Sequence, residues 1–476
     1  MKNIVLIDAD FDLIESLLKT GQYKIALVIS NFISKEEKLK LQHQIPLIQP
    51  RNQITYRDFA AIYHNDYNLT YDEIRSFQAT QLRVEHYIQR YCLDRGMILY
   101  MYYLALGFYL DFFSKNHIDM IFLNDQVHYA YSDGIIKDIA AKKGIDFFNL
   151  GLSSGTDKET ILHLYHNENF VNIEEVVSGG GVDLKPYIKS LQNPQKPALK
   201  KPLKYFFATK IKSLPSFISH FVVSTKYNLN HKIKKPIVRC SRVDVFYGSL
   251  YVKKLLKFYE QLSVEINLTQ DRQNFIYYSL NLEPEAIIMP RAVLNSQIFI
   301  IKMLAYALPK GYKLYVKEHP AQFFIYERHN ILFSNISYFR TPLFYQQLKQ
   351  IPNVEIISIK TPSSELIKHA KGVAFLAGSV GIEAVLLKKP LLNFGINLSF
   401  VNLLKDCFHI RSKQDLKDAL IKIEQGFIPH YEDLESVVEK FCLSSRALKS
   451  DKDILIKLFD KMLEIQQNQD ADSIVR

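Results

Sequence analysis

Short apolar runs alternate with amphipathic helical patterns along this 476-residue chain, and that alternation restricts the fold to the α/β class. In the carboxy-terminal half, the pattern predicts strands at Phe275–Ser279, Lys313–Val316, Val354–Ile357, Val373–Leu376 and Leu391–Phe394. Short strands separated by helices pair in a mostly parallel sheet. The amino-terminal half alternates in the same way, so we predict two Rossmann-like domains, as the length of the chain also favours.

The amino-terminal half is predicted to contain a helical insertion in addition to its sheet. The predicted strands are Ile4–Ile7, Ile25–Ile29, Asp119–Leu123 and Ile145–Leu150. The predicted helices are Leu13–Leu18, Tyr71–Tyr91, Met97–Ser114 and Tyr129–Lys143. We therefore assign a first domain to residues 1–183, a basic segment to 184–243, a second domain to 244–411 and C-terminal helices to 412–476.

The segment 184–243 contains no Asp or Glu and many lysines, in a chain whose net charge is +11. One interpretation is a solvated linker with a helix packed on the body. The other is a basic amphipathic surface that docks on the anionic inner leaflet of a membrane. Positive charge also attracts nucleic acid, but no nucleic-acid motif is present in the sequence, so we expect no nucleic-acid partner.

The remaining composition predicts a cytoplasmic protein, with peripheral contact at the inner membrane as the open alternative. Cys92, Cys240, Cys407 and Cys442 lack CxxC spacing, which favours free thiols over a zinc site or disulfides. The first residues lack the pattern of a signal peptide. The most apolar run, Met97–Leu110, is shorter than the roughly 20 residues that span a bilayer and is predicted to be a buried core helix.

Polar residues follow the predicted strand Lys313–Val316, at the edge where open parallel sheets bind ligands. Pro320 ends the strand and leaves Lys317, Glu318 and His319 at its carboxyl end. An imidazole and an ammonium group there can neutralise the charge that develops on a departing phosphate. The structural alternative is a polar cap on a turn.

Two predicted helix starts lie at the same edge. Ser363 or Ser364 can cap the first of these helices. Gly378 permits a tight turn before the second helix, which Ser379 can cap, and backbone N–H groups at such a turn can bind a phosphate. Glu383, one turn later, can accept hydrogen bonds from ribose hydroxyls. Capping alone is the structural alternative for both starts.

Acidic and imidazole groups follow the predicted amino-terminal strands, where a general base would be needed to deprotonate an acceptor hydroxyl. The candidates for that base are Asp10, His128 and Asp133, with Asp8 and Asp125 beside them. Each is also explained as a helix cap or a solvated carboxylate.

Two further groups of acids are open to more than one interpretation. Asp8-Ala-Asp10 matches a DxD metal motif, but its place directly after a strand favours acids at the edge of a cleft over metal ligands. Glu283 and Glu285 bracket Pro284 after another strand, so they either line the cleft between the domains or belong to a solvated turn.

Three strings together resemble bacterial capsular and surface polysaccharide biosynthesis glycosyltransferases of the GT-B type. They are Leu308-Pro-Lys-Gly-Tyr-Lys-Leu-Tyr-Val-Lys-Glu-His-Pro320, Leu282-Glu-Pro-Glu-Ala286, and the turn Gly378–Glu383 followed by Lys389-Pro390. The His-Pro and Ser motifs are also similar to those of bacterial sialyltransferases and Kdo transferases. Tyr131-Ser-Asp-Gly134 is similar to the acidic-Gly motif of sialyltransferases but lacks its paired acid.

The resemblance implies two Rossmann-like domains that face each other across a cleft, with a nucleotide-sugar donor on the carboxy-terminal side and a glycan or lipid-linked glycan acceptor on the other. It implies that His319 and Pro320 contact the phosphate and nucleotide of the donor, that Gly378 and Ser379 contact the phosphate, and that no metal or other cofactor is required. The expected reaction is inverting transfer of a CMP-activated nonulosonic acid or Kdo to a surface glycan. A polymer phosphotransferase of the teichoic-acid kind and a non-catalytic partner in glycan assembly or export remain alternatives.

Overall fold

The computed structural model divides into two compact units, one formed by Met1–Asp183 with Leu434–Arg476 and the other by Leu184–Asp433. The structure describes residues 1–41, 45–49, 56–90, 92, 94–155, 160–176, 182–185, 242–270, 273–285, 287–292, 294–324, 336–395, 399–451 and 453–474. The predicted basic segment 184–243 lies outside these residues apart from its ends, and so does Cys240.

The first unit is built on an eight-stranded sheet, counted over the described residues. Its strands are β1 (Lys2–Ile7), β2 (Tyr23–Ile29), β3 (Leu47–Ile48), β4 (Met120–Leu123), β5 (Asp146–Gly155), β6 (Thr160–His166), β7 (Asn169–Phe170) and β14 (Leu443–Ser444). The order β14-β6-β5-β4-β1-β2-β3 is parallel from β5 to β3, and β6 pairs antiparallel with β5, β7 and β14. The parallel part confirms the predicted Rossmann-like architecture. The antiparallel extension was not predicted.

Helices cover the sheet of the first unit and form the predicted insertion between β3 and β4. They are Phe11–Thr20, Lys35–Leu41, Tyr56–Ile62, Tyr71–Ser76, Gln78–Gln89, Arg95–Lys115, Asp133–Lys143, Leu434–Phe441, Ser445–Ser450 and Asp453–Ile474. The predicted helix Tyr71–Tyr91 is divided at Phe77, whose backbone leaves the helical region and whose carbonyl accepts a hydrogen bond from the Tyr102 hydroxyl at 3.0 Å.

One helix in the described part of the chain, Arg95–Lys115, is long and apolar enough by length and composition to cross a membrane. Half of the apolar 18-residue stretch of this helix is buried inside the protein. Its buried residues include Met101, Ala105 and Leu106, and the helix packs against Gln78–Gln89 and Asp133–Lys143. These contacts agree with the predicted core helix.

The predicted helix Tyr129–Lys143 was wrong at its start, because the helix begins at Asp133. Tyr129 has a positive φ of 60° and lies buried. Gly134 makes room for it, since a Cβ at Gly134 would lie 2.5 Å from the Cα of Tyr129. The string that resembled an acidic-Gly motif therefore has a packing role in this unit.

Replacing Gly134 with alanine (Gly134→Ala) is expected to lower the free energy of unfolding by about 1–3 kcal/mol, because the added methyl group overlaps main-chain atoms that cannot move aside cheaply. Urea titration would measure the loss. Gly96→Ala is the matched control, since its Cβ would meet only Asp94 Oδ1 at 3.6 Å. Equal stabilities of the two variants would contradict this account of Gly134.

The second unit is built on a six-stranded sheet, again counted over the described residues, in which all neighbouring strands are parallel. Its strands are β8 (Asn274–Ser279), β9 (Tyr312–Lys317), β10 (Val354–Ile357), β11 (Gly372–Phe375), β12 (Leu391–Asn393) and β13 (Cys407–His409). Their order is β10-β9-β8-β11-β12-β13. Together with the first unit, this sheet confirms the predicted α/β class with two Rossmann-like units, the chain organisation of the GT-B type.

The main core of the second unit lies on one face of the sheet, where Ile276, Leu314 and Ala374 meet helices of this unit. The helices of the unit are Arg242–Leu262, Gln297–Ala307, Ala321–Phe324, Ile336–Phe339, Pro342–Gln350, Ser363–His369, Val380–Leu386 and Lys413–Glu424, with a π-helical turn at Ile287–Arg291 and a 3-10 turn at Phe400–Leu403. The C-terminal helices predicted for 412–476 are divided between the units. Leu416 and Leu420 of Lys413–Glu424 join this core, whereas the helices after Leu434 belong to the first unit.

Candidate functional site

The polar motifs of the second unit lie at the carboxyl edge of its sheet. β9 ends at Lys317, the helix Ser363–His369 follows β10, and the turn at Gly378 follows β11. Because parallel strands share one carboxyl edge, these groups come to the same side of the sheet, where α/β proteins bind ligands. The sequence predicted this placement correctly.

Lys317 lies at the centre of a buried polar cluster. Its side chain is 1% exposed, and its Nζ donates a hydrogen bond to Ser363 Oγ at 2.9 Å. The Tyr277 hydroxyl donates to the same Oγ at 3.3 Å. Neither predicted serine caps its helix, because Pro362 occupies the N-cap position and no side-chain capping bond forms. Ser363 binds Lys317 instead, and Ser364 is the next, partly exposed residue of the helix.

Glu383 completes this group, which we call the Lys317 cluster (Lys317, Ser363, Tyr277, Ser379 and Glu383). Ser379 occupies the N-cap position of its helix, but its side chain makes no capping bond; it donates to Glu383 Oε1 at 3.0 Å instead. Burial lowers the pKa of Lys317 to about 8, against the effect of Glu383, and burial raises the pKa of Glu383, against the effect of Lys317. The cluster is therefore an ammonium and a carboxylate held at the sheet edge with little water.

The glycine turn beside the cluster is held by side chains that the sequence analysis missed. Gly378 has φ of 102°, a conformation that favours glycine. Asn281 Nδ2 donates to the Ala377 carbonyl at 2.7 Å and so ties the turn to the end of β8. The Gln297 side chain in turn bonds the N–H and carbonyl of Asn281 at 2.7 and 3.1 Å. An Asn two residues after a central strand was the only sequence signal for this support.

His319 presents an imidazole next to the Lys317 cluster. Its Nδ1 accepts a hydrogen bond from the Ala321 N–H at 3.1 Å, so the neutral ring carries its proton on Nε2. The residue is exposed, yet protein atoms crowd the ring, and this desolvation together with the charge of Lys317 holds the pKa of His319 below its usual range. Pro320 follows it and precedes the short helix Ala321–Phe324. His319 is therefore a neutral donor at neutral pH.

Glu318, predicted to bind a donor, lies on the other side of the strand and is buried. Successive residues of a strand point to opposite faces, so Lys317 and Glu318 diverge. Glu318 Oε2 accepts the Tyr345 hydroxyl at 2.6 Å and lies 3.0 Å from Arg340 Nε. Burial raises the pKa of Glu318, and Arg340 opposes that shift. The prediction for Glu318 was wrong because its carboxylate is used inside the core.

Arg340 is a fully buried arginine that the sequence analysis did not single out. Besides Glu318 it contacts Glu283 Oε2 at 2.9 Å and the Asn281 carbonyl at 2.8 Å, and its guanidinium lies 4.3 Å from the Phe344 ring centroid. Glu283, predicted to line a cleft, is thereby placed in an internal ion pair. Glu285 begins the adjoining turn, where its carbonyl accepts the Met289 N–H at 3.1 Å.

Asp133, predicted as the general base, is buried in the first unit. Its Oδ2 accepts the His128 N–H at 2.5 Å, and backbone hydrogen bonds from Ala130 and Gly134 also reach the carboxylate. Burial raises the pKa of Asp133 to about 6. These contacts give Asp133 a structural role, because the carboxylate fixes the loop that leads into its own helix.

The other amino-terminal candidates follow β1 and β4, which are adjacent in the sheet. Asp8 has φ of 55°, and Asp10 caps the helix Phe11–Thr20 by accepting the Leu13 N–H at 2.9 Å. After β4, Asp125 Oδ1 accepts the Gln126 N–H at 2.7 Å, and the Gln126 amide lies 3.1 Å from His128 Nε2. His128 is partly exposed. Among the described residues, no group of three or more His, Cys, Asp or Glu is arranged to hold a metal ion.

A family model described as "Capsule polysaccharide biosynthesis protein" matches residues 251–400, which contain the Lys317 cluster, His319 and the Gly378 turn. The resemblance predicted from the motifs is therefore supported for this part of the chain. No curated protein is similar to the chain in sequence.

Solved structures that are similar to the chain are distant from it in sequence. The beta Kdo 2,7 transferase KpsC of Thermosulfurimonas dismutans is 11% identical over 66% of this chain and 79% of its own, with a TM-score of 0.26. A UDP-GlcNAc 2-epimerase of Methanocaldococcus jannaschii, in complex with UDP-GlcNAc and UDP, is 13% identical over 92% of this chain and 98% of its own, with a TM-score of 0.25. The glycotransferase of kitacinnamycin is 12% identical over 92% of each chain, with a TM-score of 0.22.

Proposed function

We propose that this protein is a glycosyltransferase of capsule or surface polysaccharide biosynthesis that uses a nucleotide-sugar donor. The preferred donors are CMP-activated nonulosonic acids or Kdo, and the sugar is transferred with inversion. The proposal rests on the family match over 251–400 and on the predicted similarity of the His-Pro and Ser motifs to sialyltransferases and Kdo transferases.

The observation that carries the proposal is the Lys317 cluster at the carboxyl edge of the second sheet. An ammonium with 1% exposure needs an anionic partner, whereas Lys317 donates to the neutral Ser363 hydroxyl and feels the charge of Glu383 only through space. The phosphate of a donor would supply that partner. His319, with its proton on Nε2, would donate to the same developing charge, and Glu383 would accept from the ribose hydroxyls.

The charge of Lys317, together with a hydrogen bond from His319, would make a metal ion unnecessary for the departure of the nucleotide. In the first unit, His128 is the general base that we propose for the acceptor hydroxyl, because it is partly exposed and follows a strand at the carboxyl edge. Asp8, Asp10 and Asp125 would line the acceptor side near it. A cytoplasmic location, with peripheral contact at the inner membrane, fits donor and acceptor alike and belongs to the same proposal.

A thermal-shift screen with CMP, UDP, GDP and CDP tests the donor class, and we expect the largest stabilisation with CMP. His319→Ala is expected to reduce the shift and to slow turnover of the donor at least about tenfold, the low end for loss of one electrostatic stabiliser. His369→Ala is the matched control, since His369 lies on the helix after Ser363 and its Nδ1 contacts the Glu365 carbonyl at 2.9 Å.

Two results would count against the proposal. Unchanged turnover of His319→Ala would remove His319 from the donor site. A preference for CDP, with a phosphodiester in the product, would identify a polymer phosphotransferase instead.

A further inference from the structure

A polar cavity lies at the carboxyl edge of the second sheet, where β12 and β13 end. Its volume is about 110 Å³, and the residues that line it include Asn393, Asn402, His409 and Arg411. None of these residues was singled out in the sequence, and none belongs to the Lys317 cluster. The cavity is therefore a separate feature of the same edge.

Two asparagines that contact each other form part of the wall of this cavity. Asn393 Oδ1 accepts the Gly395 N–H at 2.8 Å, and the Asn393 amide also contacts Asn402. Asn402 Nδ2 donates to the Gly395 carbonyl at 3.4 Å. The amides thus fix Gly395 directly after β12, and the remaining polar groups of the lining come from the end of β13.

The lining is positively charged. Of the described residues that line the cavity, none is acidic, and Arg411 carries a full positive charge. The carboxylate nearest to Arg411 in the sequence, Asp415, lies outside the lining and belongs to the capping box of the helix Lys413–Glu424, where its Oδ2 accepts the N–H groups of Arg411 and Ser412 at 3.0 and 2.8 Å and its charge interacts with Arg411. Burial and the charge of Arg411 hold the pKa of His409 below its usual range, so His409 adds a neutral polar group.

The size of the cavity limits the ligand to a small group. A water molecule occupies roughly 30 Å³ in the liquid, so 110 Å³ holds a few waters and not a nucleotide, whose sites run to several hundred Å³. The planar guanidinium of Arg411 suits a carboxylate or a phosphate, which it can bind with two parallel hydrogen bonds. A small oxyanion that belongs to a larger ligand fits both limits.

The position of the cavity selects a carboxylate. β12 pairs with β11, β13 pairs with β12, and the turn at Gly378 follows β11, so the cavity lies one to two strand spacings, roughly 5–10 Å, from the proposed phosphate position. In a CMP-activated 2-keto acid sugar, the anomeric carbon carries both the phosphate oxygen and the carboxylate. A phosphate at the Gly378 turn would place that carboxylate close to the next strand end.

We propose that this cavity is a subsite for the carboxylate of an acidic donor sugar, with Arg411 as its binding residue. The inference rests on the proposed function and gives it a structural reason for selecting 2-keto acid sugars over neutral ones. It also assigns a specificity-determining role to a residue outside the motifs that resemble known families.

Calorimetric titration with CMP, CMP-Kdo and CMP-N-acetylneuraminate tests the subsite. We expect the wild-type protein to bind at least one of the two sugar nucleotides about tenfold or more tightly than CMP, as a charge-assisted pair of hydrogen bonds would provide. Arg411→Gln is expected to remove that gain and to leave CMP affinity within about twofold. Lys413→Gln, which removes the same charge from an exposed neighbour, is expected to change neither.

The outcomes separate this inference from the proposed function. If Arg411→Gln keeps the full preference, or if the wild-type protein binds CMP and both sugar nucleotides equally, the subsite is refuted while nucleotide binding stands. If Arg411→Gln weakens CMP as much as the sugar nucleotides, the cavity binds the nucleotide phosphate and the carboxylate assignment is refuted. If the wild-type protein binds none of the three, the proposed donor class fails, and the subsite fails with it.

Discussion

Replacing Lys317 with methionine (Lys317→Met) is expected to lower kcat about 100-fold or more, because the variant loses the ammonium that lies at the proposed phosphate position. Methionine retains the length and apolar volume of the side chain. The buried Nζ, which donates to Ser363 Oγ at 2.9 Å, is removed without opening a large cavity. The measurement is the rate of nucleotide release from a CMP-sugar in the presence of a glycan acceptor.

The stability of Lys317→Met separates a loss of function from a loss of folding. Burial lowers the pKa of Lys317 from 10.5 to about 8, so below pH 8 the native state holds a charge that it solvates poorly. Between these two pKa values the unfolded chain binds more protons than the native protein, and wild-type stability therefore rises with pH across that window. The variant lacks this rise and is expected to be at least as stable as the wild type at pH 7.

The same group predicts a pH dependence of activity. As the pH rises through about 8, Lys317 of the free protein loses its proton, and kcat/KM is expected to fall with that apparent pKa. Lys317→Arg keeps a positive charge at all accessible pH values. Its kcat/KM is therefore expected not to fall as the pH rises through about 8, even if the variant is slower than the wild type.

Two control variants sharpen the test of Lys317. Lys313→Met removes a lysine from the same strand, where Nζ pairs with Glu355 at 3.0 Å and is partly exposed, and it is expected to retain kcat. Ser363→Ala removes the acceptor that positions Lys317 and is expected to slow turnover less than Lys317→Met does. If Lys317→Met kept kcat within threefold of Lys313→Met, the Lys317 cluster would have no role in the reaction.

The sequence predicted where the strands of the second unit end, because short apolar runs and Pro320 mark those ends directly. It also predicted that Lys317, Ser363 and Gly378 lie along one edge, since parallel strands permit no other arrangement. It did not predict the hydrogen-bond partners of the Ser363 and Ser379 hydroxyls. A Ser before a helix predicts a cap. Ser363 instead accepts a hydrogen bond from Lys317, which is distant in the sequence, and Ser379 donates one to Glu383, one helical turn later.

Buried charges were the main source of wrong predictions. Glu318 follows Lys317 directly in the sequence, but successive side chains of a strand point to opposite faces. Glu318 therefore lies inside the protein, in contact with Tyr345 and Arg340, whereas Lys317 belongs to the candidate site. Asp133 is similar, since one of its backbone partners, Ala130, lies in a loop that was predicted as helix. Arg340 carried no local signal, because a single Arg among polar and aromatic residues is exposed in most proteins.

Replacing Arg340 with methionine (Arg340→Met) is expected to lower the free energy of unfolding by about 3–5 kcal/mol, the usual cost of leaving a buried charge without its partner. The guanidinium is fully buried between Glu318 at 3.0 Å and Glu283 at 2.9 Å. Glu318 would remain in the core with the Tyr345 hydroxyl and the His319 N–H as its hydrogen-bond partners. Urea titration measures the loss, and Lys349→Met, which breaks a partly exposed pair with Glu355, is expected to cost less than about 1 kcal/mol.

The double variant Arg340→Met/Glu318→Gln tests whether the uncompensated carboxylate causes that loss. If it does, the second substitution recovers part of the stability, and the two changes are strongly non-additive. Additive losses would instead assign the cost to packing against Phe344.

Arg340 also supports the candidate site from the core. It donates to the Asn281 carbonyl at 2.8 Å, and Asn281 holds the turn before Gly378. The Arg340→Met variant is therefore expected to bind CMP more weakly, although residue 340 is not expected to contact CMP. Unchanged CMP affinity would mean that the turn keeps its shape without this support from the core.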